Sequence, residues 1–541
     1  MSRTHLRQIS CSGGGVTHID QKRRSLLGGI GGVAGLAAVS PSILLSACTN
    51  EGSADSGSGV APAHGADNGE VDVDFRLRAR RDTVPLLPGA PSEVWRYDAT
   101  LVDGPANTLS SINNSYPGPL IRLSRGQRVR ATLENRLPED TTVHWHGLHV
   151  PPDVDGQPRL SIKPGEDMAV TFDVRDRAGL YWYHPHPHGP DGGRVGFQSY
   201  AGLAGPLVIE DDIERELNLP GGEQELILIL QDRSFAGDNA LRYIDGMGAM
   251  MARMQGFLGE RVLVNGRPPQ TRDVATRPYR LRILNGSNAR IYKLAWSDGR
   301  PVTVIGTDGG LLAKPQRLAY VTLAPAQRVD VWLDLSGAQV GERLRLISDA
   351  YQTGMMGGMG AMMGRSALPA GARFDLLGLR VTDRVRDGRP LPPDLDSTPV
   401  LPAVTSDTPI RRFELGMRMM RGFFINGRQF EGATVADDEV VRLGNTEIWE
   451  FVNDTMMPHP MHVHGLQFAV IERRRMTDIR GWSGLASGLL DAGLLDTVLV
   501  MPGERVRIVL TFTDFEGLYL YHCHNMEHED SGMMRYYRVR A

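Results

Sequence analysis

Apolar and polar residues alternate with a period of two along much of this chain. The clearest stretches are Val170-Thr171-Phe172-Asp173-Val174 and Val506-Arg507-Ile508-Val509-Leu510-Thr511-Phe512. Side chains on an extended segment point alternately to two faces, so this pattern predicts strands with one face in a core. No long helical heptad pattern accompanies them. Turn punctuation is dense, with 63 Gly and 34 Pro, as expected of short strands joined by tight connections.

The pattern also repeats. Pro164-Gly165-Glu166 leads to Gly179-Leu180-Tyr181-Trp182-Tyr183-His184-Pro185-His186, and Pro502-Gly503-Glu504 leads to Gly517-Leu518-Tyr519-Leu520-Tyr521-His522-Cys523-His524. Both run 20 residues from the proline to the first histidine. A middle copy, Pro325-Ala326-Gln327-Arg328-Val329-Asp330, never reaches a histidine pair. The segment ahead recurs too, from Asn114 to Asn135, from Val264-Asn265-Gly266 to Asn285, and from Ile425-Asn426-Gly427 to Asn453. A length of 541 residues suggests several domains. The expectation is an all-β chain of three two-sheet sandwiches at 71–215, 222–385 and 405–541. Boundaries fall near 215–222 and 385–405, and the Pro-rich stretch 388–402 marks the second.

Chemistry concentrates at the end of the chain, in His522-Cys523-His524-Asn525-Met526-Glu527-His528-Glu529-Asp530-Ser531-Gly532-Met533. A soft thiolate with imidazole and a weak axial thioether suits an electron-transfer copper. Neighbours on a strand face opposite ways, so a metal at Cys523 lies a few covalent bonds from metals held by His522 and His524. Three further separate His-x-His pairs stand out, His144-Trp145-His146, His184-Pro185-His186 (with His188 two residues on) and His462-Val463-His464, with His459 just upstream of the last. Ten of the 15 histidines fall in these segments, which excludes random scatter. Domains one and three carry two pairs each and domain two none, so a cluster using all four pairs must lie between the outer domains.

These motifs resemble the copper-binding signature of multicopper oxidases, most nearly the bacterial three-domain, laccase-like group with its copper-efflux (cuprous) oxidases. The resemblance runs from about residue 75 to the C-terminus. It implies three cupredoxin-like Greek-key β-sandwich domains and four copper ions. The type 1 copper would take His459, Cys523, His528 and axial Met533, and the type 2 copper His144 and His462. One type 3 copper would take His146, His184 and His524, and the other His186, His464 and His522. Single electrons from a reductant would then reach dioxygen and yield water. Asp155 and Glu529 match acidic positions that relay protons in similar oxidases, whereas His149 and His188 match no ligand position. An extra segment at 473–495, which domain one lacks, flanks His459 and is expected to cover the place where electrons are taken up.

The reductant is less specified. The chain has 22 Met, many of them clustered. Met247, Met250, Met251 and Met254 share one face if helical; Met417, Met419 and Met420 form another group. A stripe of this kind ordinarily packs in a core. Met355, Met356, Met359, Met362 and Met363 sit in a run too Gly-rich for a good core helix, and thioethers prefer Cu(I). Met456 and Met457, ahead of His459, could pass a cuprous electron inward. In copper-efflux oxidases an acid is expected where Thr455 stands, with Asp454 one place earlier here. The expected function is oxidation of Cu(I) and/or phenolic donors by O2 in periplasmic copper tolerance. The alternatives are a general laccase-like phenol oxidase and a non-catalytic copper-sequestering protein.

The N-terminus adds a location. Lys22-Arg23-Arg24-Ser25-Leu26-Leu27 ahead of an apolar, Gly-rich run resembles a twin-arginine export signal, and Leu45-Ser46-Ala47-Cys48 a lipoprotein box. Residues 1–47 are expected to be the signal peptide and 48–70 a flexible tether, with lipidated Cys48 as a possible membrane anchor and the export machinery as a partner. The other cysteines are Cys11 and Cys523, so no disulfide framework forms. The whole chain carries a net charge of −4, and the mature part, relieved of five basic residues and one acid, is more acidic still. Such a surface excludes nucleic acid as a partner.

Overall fold

The strand Val73–Val84 buries Val73, Phe75, Leu77 and Ala79 and turns Arg76 and Arg78 to solvent, which is the alternation the sequence predicts. The computed structural model describes residues 69–112, 115–189, 192–245, 249–354, 368–398, 401–418, 421–476 and 481–541. The signal, Cys48 and most of the tether lie outside them, as do Met247, Met355, Met356, Met359, Met362, Met363, Met419 and Met420.

Strands build three β-sandwiches in succession. The first pairs a four-stranded with a five-stranded sheet between Val73 and Glu210, the second a seven- with a five-stranded sheet between Glu225 and Asp383, and the third two five-stranded sheets between Ile410 and Arg540. Each encloses its own apolar core, around Trp145 and Phe172, around Trp296 and Leu281, and around Trp449 and Phe451.

The strand Gly179–His184 departs from alternation because all six residues are buried. Tyr181 and Tyr183 face the first core, while Leu180 and Trp182 join a separate apolar cluster with Ile229 and Leu284 of the second sandwich and Met526 of the third. His184 therefore emerges where the sandwiches meet. Register does the rest. His144 lies opposite His184 in one sheet, and His462 opposite His522 in another.

The expectation about the methionine stripe resolves here. Met250, Met251 and Met254 sit on a short helix, Ala249–Gln255, but none is buried, so this stripe is not core packing. The segment 473–495 begins in the strand Ala469–Arg475 and continues, among the described residues, through a 3-10 turn at Ser483–Gly488. No helix among the described residues is long and apolar enough to cross a membrane.

Candidate metal centres

The strand His459–Val463 and the strand Gly517–Cys523 are neighbours, with Met461 opposite Cys523. The five-residue helix Met526–Asp530 then turns His528 back towards them. The Cys523 Sγ lies 3.4 Å from His459 Nδ1 and 3.7 Å from His528 Nδ1, and the two Nδ1 atoms are 3.2 Å apart. Each ring is held by its far nitrogen. His459 Nε2 donates to Thr455 Oγ1 (2.8 Å) and His528 Nε2 to the Met254 carbonyl (3.1 Å). Thr455, the departure from the expected acid, thus orients His459. Met533 is fully buried in the same core cluster as Cys523. Burial pushes the Cys523 thiol up and His459 down to about 3. The histidines are therefore neutral and offer lone pairs at ordinary pH.

The remaining eight imidazoles meet between the first and third sandwiches, all of them buried. A neutral imidazole has one N–H, and carbonyl or carboxylate oxygens can only accept it. Six rings direct that proton outward. His144 Nδ1 donates to the Asp155 carbonyl (2.7 Å), His146 Nε2 to Asp496 Oδ1 (3.0 Å) and His184 Nδ1 to the Pro185 carbonyl (3.0 Å). His462 Nδ1 donates to the Asp496 carbonyl (2.8 Å), His464 Nδ1 to Asp155 Oδ2 (2.8 Å) and His522 Nδ1 to the Cys523 carbonyl (3.3 Å). Their other nitrogens are lone pairs aimed inward, and they crowd. His464 Nε2 lies 3.1 Å from His522 Nε2, and His146 Nδ1 lies 3.3 Å from His184 Nε2. His144 Nε2, His462 Nε2 and both nitrogens of His524 have no hydrogen-bond partner. Facing lone pairs in a buried site repel unless a cation sits between them.

Ligand atoms within 4.8 Å of one another form the sets His186–His464–His522, His459–Cys523–His528, His144–His462–His464 and His144–His146–His184. His524 belongs to none of these, although its ring lies 5.0 Å from that of His146 and 5.2 Å from that of His184. Glu529 is fully buried, 3.3 Å from His186 Nε2 and 3.2 Å from His522 Nδ1, and neither of its oxygens is hydrogen-bonded. His149 sits apart, against Phe515 and 3.5 Å from Asp514, and His188 packs on Phe430. Asp496 has no histidine spacing or motif of its own in the sequence. It forms a further set with His146 and His462, and nothing in Leu495-Asp496-Thr497 signals it apart from the register that pairs Thr497 with His462.

Two sequence models described as multicopper oxidase match, one residues 93–214 and the other residues 404–541. The chain is 31% identical over 449 residues to the multicopper oxidase mco of Staphylococcus aureus, covering 80% of this chain and 84% of that protein. The chain belongs to the multicopper oxidase family. It is 30% identical over 487 residues to a laccase of Bacillus subtilis, covering 80% of this chain and 90% of the laccase. Its fold is shared with the McoA multicopper oxidase of Aquifex aeolicus, with a TM-score of 0.73 and 35% identity over 87% of this chain and 97% of that one. Its sandwiches are cupredoxin-like, and the protein is an oxidoreductase coupling copper-dependent oxidation of a reductant to reduction of O2.

The residues present fit the metal this family uses. Inward lone pairs, orphaned ring nitrogens and a buried thiol between two imidazoles are a donor set for copper. Two surfaces reach the cysteine-containing site. On the His528 side Met250, Met254 and Met417 line a groove with Phe423, whose ring stacks on His528 at 3.8 Å. On the His459 side an apolar cavity is lined by Met457, Pro458, Pro460, Ile291, Tyr351 and Trp482. Met457 is buried, while Met456 is 45% exposed and outside the cavity lining.

Proposed function

We propose that this multicopper oxidase holds four coppers and oxidises Cu(I) at the His528 side, with phenolic donors as a second substrate class. One copper would be held by His459, Cys523, His528 and Met533. The other three would be held by His144 with His462, by His146, His184 and His524, and by His186, His464 and His522. When bound, these metals supply one-electron transfer and the four-electron reduction of dioxygen to water. Cys523 lies between His522 and His524 on one backbone, which joins the two centres through a few covalent bonds. Complete burial of the imidazoles keeps bulk water from the reacting oxygen. Asp155 Oδ2 holds the His464 ring, and Glu529 presents two unbonded oxygens beside His186 and His522, the position from which a carboxyl group delivers protons.

The observation that supports Cu(I) is the thioether groove. Met250 is 56% exposed, and the Met254 carbonyl accepts the His528 N–H directly, so soft ligands stand one hydrogen bond from the electron acceptor. Replacing Met250, Met254 and Met417 with Leu keeps the apolar volume, at a cost under about 1.5 kcal/mol per site. It should weaken Cu(I) oxidation about tenfold, as loss of metal-holding groups does, and leave dimethoxyphenol oxidation within about twofold. Equal loss of both activities would favour the laccase-like alternative, which the apolar cavity beside His459 supports on its own.

The place of action follows from the N-terminal motifs. The twin-arginine-like Arg23-Arg24 pair and Cys48 support export to the periplasm or cell envelope, with lipid anchoring, in a role in copper tolerance. Cys48→Ser should release a soluble, active form. A wild-type protein that is soluble, with its mature N-terminus elsewhere, would contradict the anchor.

A further inference from the structure

The central sandwich carries no copper ligand in the proposed set, yet its repeat of the proline turn reaches Asp496, which hydrogen-bonds two cluster histidines. Arg328 is buried and forks onto Asp496 of the third sandwich, Nη1 to Oδ1 at 2.8 Å and Nη2 to Oδ2 at 2.5 Å. Asp308 fixes the arginine in turn, accepting the Arg328 backbone N–H at 2.7 Å through Oδ1 and a guanidinium N–H at 3.0 Å through its carbonyl. Arg328 Nε donates to the Leu180 carbonyl (2.9 Å), on the strand that delivers His184. Gln327 Nε2 donates to the Thr497 carbonyl (3.0 Å) and docks the same turn onto the third sandwich.

Asp496 reaches two imidazoles from opposite sandwiches, His146 through its side chain (3.0 Å) and His462 through its carbonyl (2.8 Å). The space is tight. A Cβ on Gly147, next to His146 and at φ +88°, would lie 2.6 Å from Asp496 Oδ2 and 2.8 Å from Arg328 Nη2. Only glycine lets the His146 turn close over this ion pair.

We infer that Asp496, locked by Arg328 and Asp308, is a positioning residue. Its carboxylate fixes His146 with its proton on Nε2, so that Nδ1 is the nitrogen presented to the metal cluster, while its backbone carbonyl orients His462. A carboxylate behind a metal-binding imidazole sets the tautomer and ring direction, and its loss typically lowers metal affinity 10–100-fold. The inference rests on the four-copper reading. It gives the copperless sandwich a part in the site beyond spacing the outer two.

The test is copper retention against a chelator, read together with the blue absorption expected of a copper held by Cys523, His459 and His528 and the electron paramagnetic resonance of the non-blue copper. Asp496→Ala should keep the blue copper and lose the cluster metals at least tenfold more readily. Asp496→Asn with Arg328→Gln removes both charges but leaves an oxygen to accept the His146 proton. It should hold the cluster metals within about threefold of wild type, well short of that loss. If the alanine variant does not fold, the double variant decides alone, since loss of its cluster copper would make Asp496 a direct ligand and overturn the positioning role. Unchanged retention and resonance in a folded alanine variant would overturn it as well. A wild type that binds only the blue copper would instead defeat the four-copper reading.

Discussion

Burial pushes the Cys523 thiol up, so the metal-free side chain is a neutral thiol wedged between His459 and His528. A coordinating thiol is deprotonated outright, and the charge it then carries is held by the metal. Cys523→Ser should therefore abolish the blue absorption while leaving the eight cluster imidazoles able to load. Optical spectra with copper counts check this, and a blue serine variant would contradict the assignment. At this scale the sequence was highly informative, because His-x-His spacing and the flanked cysteine are local patterns. It was silent on Asp496 and on Thr455 as the anchor of His459. Each acts through a hydrogen bond fixed by strand register or by a turn, and neither has a spacing of its own.

At the scale of elements, the connections between strands decide where the histidines point. Asp176 lies between the strand Asp167–Asp173 and the strand Gly179–His184, and accepts the His149 backbone N–H just beyond the His144–His146 strand, at 3.1 and 3.2 Å to its two oxygens. Burial raises its carboxyl to about 7. A group whose folded value is raised stabilises the fold fully below its unfolded value and loses that contribution as pH rises through the folded one. Asp176→Asn cannot ionise and keeps an acceptor for His149. Its melting temperature should match wild type near pH 4 and exceed it increasingly up to pH 7, by about 1.4 kcal/mol of stability per pH unit. A difference that does not change with pH would contradict this.

The helix Met526–Asp530 shows the limit of local reading at the same scale. Glu529 was legible beside His528. Glu527 and Asp530 were not, since their partners stand far away in sequence. Glu527 accepts from Tyr243 Oη, Asn288 Nδ2 and the Phe257 N–H, each at 2.8 Å, and Asp530 from Val195 and Gly196 N–H at 2.9 and 3.0 Å. One helical turn thus ties His528 to the other two sandwiches. The methionine spacing showed one shared face if the segment is helical, but neither the helix itself nor its exposure, because periodicity alone does not say which side a stripe faces.

At the scale of the whole molecule, the recurring proline turns and asparagines made three sandwiches legible, and the distribution of histidine pairs made the junction between the outer two legible as a site. What the sequence did not disclose is how the junction closes. Arg328 of the middle copy, Asp496 and the shared apolar cluster around Trp182 and Met526 bring the three sandwiches onto one centre, and these contacts join residues more than a hundred positions apart. The electron-accepting site and the imidazole cluster should therefore work as one unit. The most direct measurement is oxygen uptake by the copper-loaded protein against a known amount of Cu(I), with hydrogen peroxide assayed in parallel. Four electrons should be consumed per dioxygen, with no peroxide released. Two electrons per dioxygen with peroxide accumulating, or tight copper binding with no oxygen uptake, would contradict it.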